Sequence, residues 1–178
     1  MRIIAGTLKK RTLKEVPHES TRSTRDRVKE NFFNMLPNLR EEIVLDLFAG
    51  SGALGFEALS RGAKSCTFVE TYKVAFNVLR ENMMHLGLEG ASTLHKEDAI
   101  RFLKKMNSPF DLIVLDPPYN QGLINQVLPI IKAGRLLEKD GLIALLHSHE
   151  ETPEIPCAFT ITKQRTYGIT TLTFLEWS

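Results

Sequence analysis

Asp116-Pro117-Pro118-Tyr119 is the stretch of this chain whose chemistry can be read from residue types alone. Neither proline has an N–H, so the backbone here offers carbonyls and no competing donors. Asp116 is held extended by the proline that follows it. Such a segment is an acceptor-only device, suited to a group with two hydrogens to give, such as an exocyclic amine conjugated to a ring. That amine is a poor nucleophile, because its lone pair is delocalised into the ring. Accepting its hydrogens on Asp116 and on a backbone carbonyl, expected to be that of Pro117, aims the lone pair at an electrophile. Tyr119 can stack on the ring and fix its plane. A proline-rich turn beside a buried tyrosine is the bland alternative, and a second motif upstream argues against it.

That second motif is Asp46-Leu47-Phe48-Ala49-Gly50-Ser51-Gly52-Ala53-Leu54-Gly55. Its last six residues satisfy the dinucleotide-binding glycine pattern, and Glu70 supplies the acid expected to hold a ribose diol. Asp46 decides against a dinucleotide. A carboxylate four residues before Gly50 faces the region where a pyrophosphate must sit, and it would repel it. S-adenosylmethionine has no phosphate, and it carries a cationic sulfonium and an ammonium group that an acid attracts. The paired motifs therefore predict transfer of the sulfonium methyl to an amine. The transfer itself requires no metal.

The elements that must position these residues follow from the apolar pattern. Ser23 to Leu36 reads as a helix with Val28, Phe32, Met35 and Leu36 on one face and Ser23 with Asp26 as a capping box. Strands are expected at 43–47, 66–69, 91–95, 110–115 and 142–146. Helices are expected at about 52–61, across Phe76, Leu79, Met83 and Leu86, and at 99–106. Strands this apolar, separated by helices, belong to a parallel sheet covered on both faces. Two β-rich segments, 159–165 and 169–177, read as an antiparallel hairpin turning at Tyr167-Gly168. The predicted fold class is α/β, a Rossmann-like sheet that is mostly parallel with an antiparallel C-terminal hairpin, preceded by a short basic extension.

The chain of 178 residues is 43% hydrophobic and 25% charged, which suits one globular domain and excludes a disordered tail or a coiled coil. No run of about 18 apolar residues is present, so no membrane partner is expected, and the start of the chain shows no signal-peptide core. Two cysteines are too few for a disulfide framework, and a cytoplasmic location is expected. The charge is uneven: residues 1–30 hold nine Lys and Arg against four acids, a net +5 that leaves −3 for the rest of a +2 chain. A basic arm of this kind suits a polyanion, with Lys9, Lys10, Arg11, Arg22 and Arg25 as candidate RNA contacts; a solvated terminus is the alternative. The expected division is an arm or hairpin at 1–22 and a single domain at 23–178.

The combination resembles a class I S-adenosylmethionine-dependent methyltransferase acting on an exocyclic amine, and more closely the bacterial RsmD-type family. The resemblance rests on Arg2-Ile3-Ile4-Ala5-Gly6, on Arg22 to Glu30, on the glycine motif with Glu57 to Ala63 behind it, and on Asp116 to Tyr119. It implies methylation of guanine N2 in small-subunit (16S) ribosomal RNA, free or in its ribonucleoprotein assembly, with a monomer as the working expectation. It further implies a cofactor site of Asp46, Phe48, Ala49, Gly50, Ser51 and Gly52 for the methionine moiety, Glu70 for the ribose, and Asp98 with Ala99 near the adenine. Asp116, Pro117, Pro118 and Tyr119 would hold the target amine, and Thr24 and Arg27 lie in the segment that closes over the site. Two departures stand out: the family usually has proline where Ser23 stands, and often a glutamate after the fifth strand, where this chain has Leu146-His147-Ser148-His149.

Two other readings follow from the same residues. A DNA adenine-N6 or cytosine-N4 methyltransferase would usually add a segment to read base edges, and one compact domain leaves little room for it. A non-catalytic RNA-binding module would lose the acceptor motif first, and it is intact here. His147 and His149 have no further Cys/His cluster beside them, so a polar loop is expected there and no metal site is assigned.

Overall fold

The computed structural model describes residues 1–17 and 26–178, with Asp26 and Arg27 described by their backbone alone. Five strands run parallel: β1 (Ile43–Asp46), β2 (Ser65–Val69), β3 (Ser92–His95), β4 (Phe110–Leu115) and β5 (Leu137–Ser148). Helices α2 (Ala53–Ser60), α3 (Lys73–Leu86), α4 (Ala99–Lys105) and α5 (Leu123–Gly134) connect them in turn, and α1 (Asp26–Met35) precedes them. The hairpin β6 (Phe159–Tyr167) and β7 (Thr170–Trp177) closes the sheet antiparallel. Strand order is β3-β2-β1-β4-β5-β7-β6. The chain steps outward from β1 to β3 and then returns to lay β4 on the other side of β1. A crevice opens where the direction reverses, at the carboxyl ends of β1 and β4.

Period-two alternation explains why the strands read as continuous apolar runs. Val44, Leu112, Val114 and Ala144 face one layer, with Phe32 and Phe33 of α1, Phe56 of α2 and Leu79 of α3. Leu45, Ile113, Leu115 and Ile143 face the other, with Phe102 of α4 and Leu128 and Ile131 of α5. Each such side chain contributes about 1.5–3 kcal/mol on burial. Among the described residues no helix is long and apolar enough to cross a membrane.

Two elements differ from expectation. Helix α5 escaped the pattern because Pro129 lies inside it and reads as a breaker. Strand β5 begins five residues early: Leu137 pairs with Phe110 before a register shift brings Leu142 opposite Leu112. The polar run Glu138 to Asp140 hides that start. The ends of the predicted elements otherwise shift by a residue or two. Residues 23–25 of the first predicted helix, including its Ser23 cap, lie outside the described residues.

The N-terminus is a hairpin packed on the domain, which answers the alternative of a solvated terminus. Arg2 pairs with Thr12, and Ile3, Leu13 and Val16 are buried. The hairpin covers α2, all eight of whose residues are buried; a helix buried all round needs a second cover beyond the sheet. Glu57, fully buried on α2, accepts from Ile4 N at 2.8 Å and Ala5 N at 2.9 Å. It also pairs with Lys29 Nζ at 3.3 Å and Arg61 Nε at 2.9 Å, so one carboxylate joins α1, α2 and the hairpin. Gly6 lets the backbones touch, because a Cβ there would lie 1.7 Å from Ser60 O.

Candidate active site

Parallel pairing of β1 with β4 sets Asp46 opposite Val114, so the glycine motif and Asp116-Pro117-Pro118-Tyr119 leave the same sheet edge side by side. Between them lies a cleft of about 1580 Å³. Small-ligand sites measure roughly 300–1,000 Å³, so this cleft has room for a cofactor and a second ligand together. Asp46, Phe48, Ala49, Gly50, Ser51, Glu70, Asp98, Ala99 and the whole of 116–119 line it.

The glycine loop is held from below by Glu70. Its Oε2 accepts from Gly50 N at 2.8 Å and its Oε1 from Tyr72 N at 2.7 Å. Gly50 has φ +53° and open space where a Cβ would stand, which leaves the loop backbone accessible to a ligand. Gly52 differs from expectation. At φ +84° a Cβ would sit 2.4 Å from the Phe56 ring, and the residue is buried behind the loop, outside the cleft wall. It is a packing residue that lets the loop settle on α2 and α3.

Asp46 is 1% exposed. Its Oδ2 accepts from Gly55 N at 3.0 Å, and its Oδ1 is buried with no hydrogen-bond partner. Burial pushes its carboxyl up to about 7, against the lowering effect of the Gly55 bond and with further raising by Asp116 and Glu70. Three acids thus converge on one floor, and the buried orphan oxygen favours a cation with hydrogens to donate. The donor set suits the sulfonium and ammonium of S-adenosylmethionine and is hostile to phosphate.

On the far wall Pro117 is buried, Pro118 exposed, and Asp116 and Tyr119 half-buried. The Tyr119 hydroxyl meets Thr170 Oγ1 at 3.0 Å. Asn120, at φ +59°, turns the chain, and its N–H points to Glu151 Oε2 at 3.4 Å. The segment after β5 therefore does bring a carboxylate to the amine motif, two residues beyond His149. Asp98 caps α4 through Arg101 N at 2.9 Å, and Ala99 beside it is buried.

The profile of the family described as Conserved hypothetical protein 95 matches residues 1–176. The ribosomal RNA small subunit methyltransferase D of Haemophilus influenzae is 38% identical over 174 residues, which cover 95% of this chain and 90% of that one. This chain belongs to the RsmD family. The Bacillus subtilis protein YlbH is 42% identical over 175 residues, 96% of this chain and 95% of its own. The solved structure of Escherichia coli YhhF superposes with a TM-score of 0.89 at 31% identity, covering 100% of this chain and 98% of that one. The α/β architecture with an antiparallel end is thus the RsmD methyltransferase fold.

In this RsmD-family chain the arm residues divide. Lys9 and Lys10 are exposed at the hairpin turn, and Arg11 Nη2 donates to His85 O at 2.7 Å. That turn sits at the C-terminal ends of α2 and α3, away from the cleft; the cleft is met instead by Met1, Glu15 and Val16. Arg22, Thr24 and Arg25 lie outside the described residues, as does the Arg27 side chain.

Several contributors were not legible in sequence. The tip Thr166 to Thr170 of the β6–β7 hairpin walls the cleft opposite the glycine loop, and Asn31 of α1 and Tyr72 add to its rim. Asn82 is fully buried and links the arm to the loop: its amide donates to Lys14 O at 3.0 Å and Ser51 O at 2.9 Å, and its oxygen accepts from Lys14 N at 2.8 Å. His147 lies inside β5, buried, with Nε2 3.0 Å from Thr173 Oγ1 and Nδ1 2.9 Å from Ser148 O; only His149 is in an exposed loop. Among the described residues no group of three or more His, Cys, Asp and Glu gathers to hold a metal. Cys66 is buried and Cys157 exposed, both free.

Proposed function

We propose that this protein transfers the methyl group of S-adenosylmethionine to the N2 amine of a guanine in small-subunit ribosomal RNA, in the cytoplasm. The observation that carries the reading is the juxtaposition, across adjacent strands β1 and β4, of an acidic floor with an orphaned oxygen and an acceptor-only motif. Asp46 and the backbone of 48–51 would hold the methionine moiety, Glu70 the ribose hydroxyls, and Asp98 with Ala99 the adenine. Gly52 supports that loop from behind. When bound, S-adenosylmethionine supplies an electrophilic methyl on a cationic sulfur.

The chain's own residues do the rest. Asp116 and a carbonyl of the Pro117-Pro118 turn accept the two amine hydrogens and so fix the lone pair toward the cofactor side of the cleft. Asp116 would take the proton that the amine sheds on alkylation. Tyr119 provides the stacking face. A base inside a helix cannot reach it, so the target is unpaired or flipped out. The ribosomal substrate is supported by relatives named as ribosomal RNA small subunit methyltransferases.

The test is incubation with labelled S-adenosylmethionine and unmethylated small subunits, then nucleoside mass spectrometry. N2-methylguanosine is expected, and methylated adenine or cytosine, in RNA or DNA, would overturn the reading. Asp116→Ala should lower turnover about 100- to 1000-fold while cofactor affinity stays near wild type, because the acceptor acts on the amine. Near-normal turnover in that variant would remove Asp116 from the role.

A further inference from the structure

The contact between Tyr119 and Thr170 joins two segments of the cleft wall that are far apart in sequence, one after β4 and one opening β7. Thr170 is the better anchored of the two. It pairs with Ser148 of β5 on one side and with Tyr167 of β6 on the other, so its backbone is fixed by two neighbouring strands. The next rung is tied as well, with Thr166 Oγ1 3.0 Å from Thr171 Oγ1. A threonine in a strand has few side-chain rotamers, so its hydroxyl is a stationary point. Tyr119 belongs to a segment that leaves β4 through two prolines and turns at Asn120 with positive φ. A bond at the phenol oxygen fixes the direction of the ring axis through χ1, and the preference of the conjugated phenolic O–H for the ring plane orients the ring about χ2.

We propose that Thr170 is a positioning residue for the target base: its hydroxyl sets the plane of the Tyr119 ring, which makes the antiparallel β6–β7 hairpin part of the amine site. The inference deepens the function proposed above and rests on its assignment of Tyr119 as the stacking face. Hydroxyl loss at either end should act on the same bond, and the cofactor wall is untouched by it.

The experiment compares Thr170→Val, Thr170→Ser, Tyr119→Phe and the double variant Tyr119→Phe/Thr170→Val. The readouts are kcat and KM on the RNA substrate, cofactor affinity, and quenching of 2-aminopurine in a short single-stranded RNA. That probe carries the same exocyclic amine as guanine and loses fluorescence when it stacks. One neutral hydrogen bond corresponds to about three- to tenfold, so Thr170→Val should lose that much in kcat and most of the quenching. Thr170→Ser should restore both, cofactor affinity should stay constant, and the double variant should be no worse than Tyr119→Phe. Full turnover in Thr170→Val, additive losses in the double variant, no rescue by serine, or no quenching in the wild type would each overturn the inference. If Thr170→Val fails to fold, Tyr119→Phe and Thr170→Ala test the bond from its two ends. A wild type that quenches in a Thr170-dependent way but makes no N2-methylguanosine would overturn the proposed function and leave this inference standing.

Discussion

Asp46 has one oxygen satisfied by Gly55 N and one buried with no hydrogen-bond partner among the described residues. Its carboxyl, raised from the usual 3.8 to about 7, means that the folded chain keeps a proton between those pH values that the unfolded chain has lost. Stability therefore falls as pH rises through that window, in the limit by about 4 kcal/mol at 1.36 kcal/mol per unit. Asp46→Asn keeps an acceptor for Gly55 and removes the titration. Urea titrations at pH 4, 5.5 and 8 should show the variant gaining on the wild type as pH rises to about 7 and gaining no more beyond it. Calorimetry should show the opposite for function, with the variant binding S-adenosylmethionine roughly 10- to 100-fold more weakly at pH 8, as expected for loss of a charged hydrogen bond. A stability difference that is flat with pH would mean that Asp46 does not titrate in that range.

At the scale of elements, the N-terminal hairpin is as much a wall of the cleft as a candidate RNA contact. It docks on α2 through Glu57 and Ser60, and its Lys14 backbone is clamped by Asn82, which also donates to Ser51 in the glycine loop. Asn82→Leu keeps the branch at Cγ, with a somewhat larger volume, and breaks these three bonds. Cofactor affinity should drop about tenfold, on the scale of one or two uncompensated buried polar groups, and heat stability should drop with it. Unchanged affinity in a folded Asn82→Leu variant would mean that the loop holds its shape without the arm. The pair Lys29–Glu57, buried on both sides, belongs to the same device and fixes where α1 crosses the hairpin. Removing Glu57 would take one carboxylate from both Lys29 and Arg61 and two acceptors from the hairpin, so this junction is rigid in its connectivity.

The whole molecule offers RNA two separated features: the cleft at the carboxyl end of the sheet, and the basic hairpin turn at the far ends of α2 and α3. The eight-residue α2 spans about 12 Å, so phosphates on Lys9 and Lys10 would extend the footprint well beyond the target nucleotide. Replacing Lys9, Lys10 and Arg11 by alanine should weaken RNA binding about equally across sequences. It should also flatten the log–log salt dependence by up to about two units, at about 0.7 per single-strand phosphate contact. Cofactor affinity should not change, because the links from arm to loop run through Lys14 and the backbone. Affinity measured against salt for wild type and variant decides it, and coincident lines would leave this turn without a phosphate role.

The local chemistry was legible in the sequence because it is written in contiguous residues. Gly50 and Gly52 announce a turn after a strand, two prolines strip a loop of donors, and apolar runs without alternation predict strands covered on both faces. The RsmD resemblance was carried by the same contiguous stretches. What a linear pattern cannot hold is which strand returns beside which. Only the placement of β4 next to β1 brings Asp116 near Asp46 and helps raise the latter's pKa. Only the fold-back of β7 against β5 delivers Thr170 to Tyr119 across 51 positions. Lys29, Glu57 and Asn82 have the residue types of a solvated surface, and they are buried because a hairpin from the far end of the sequence covers their helices. Burial of a polar group depends on what packs over it, and that is a property of the tertiary structure alone.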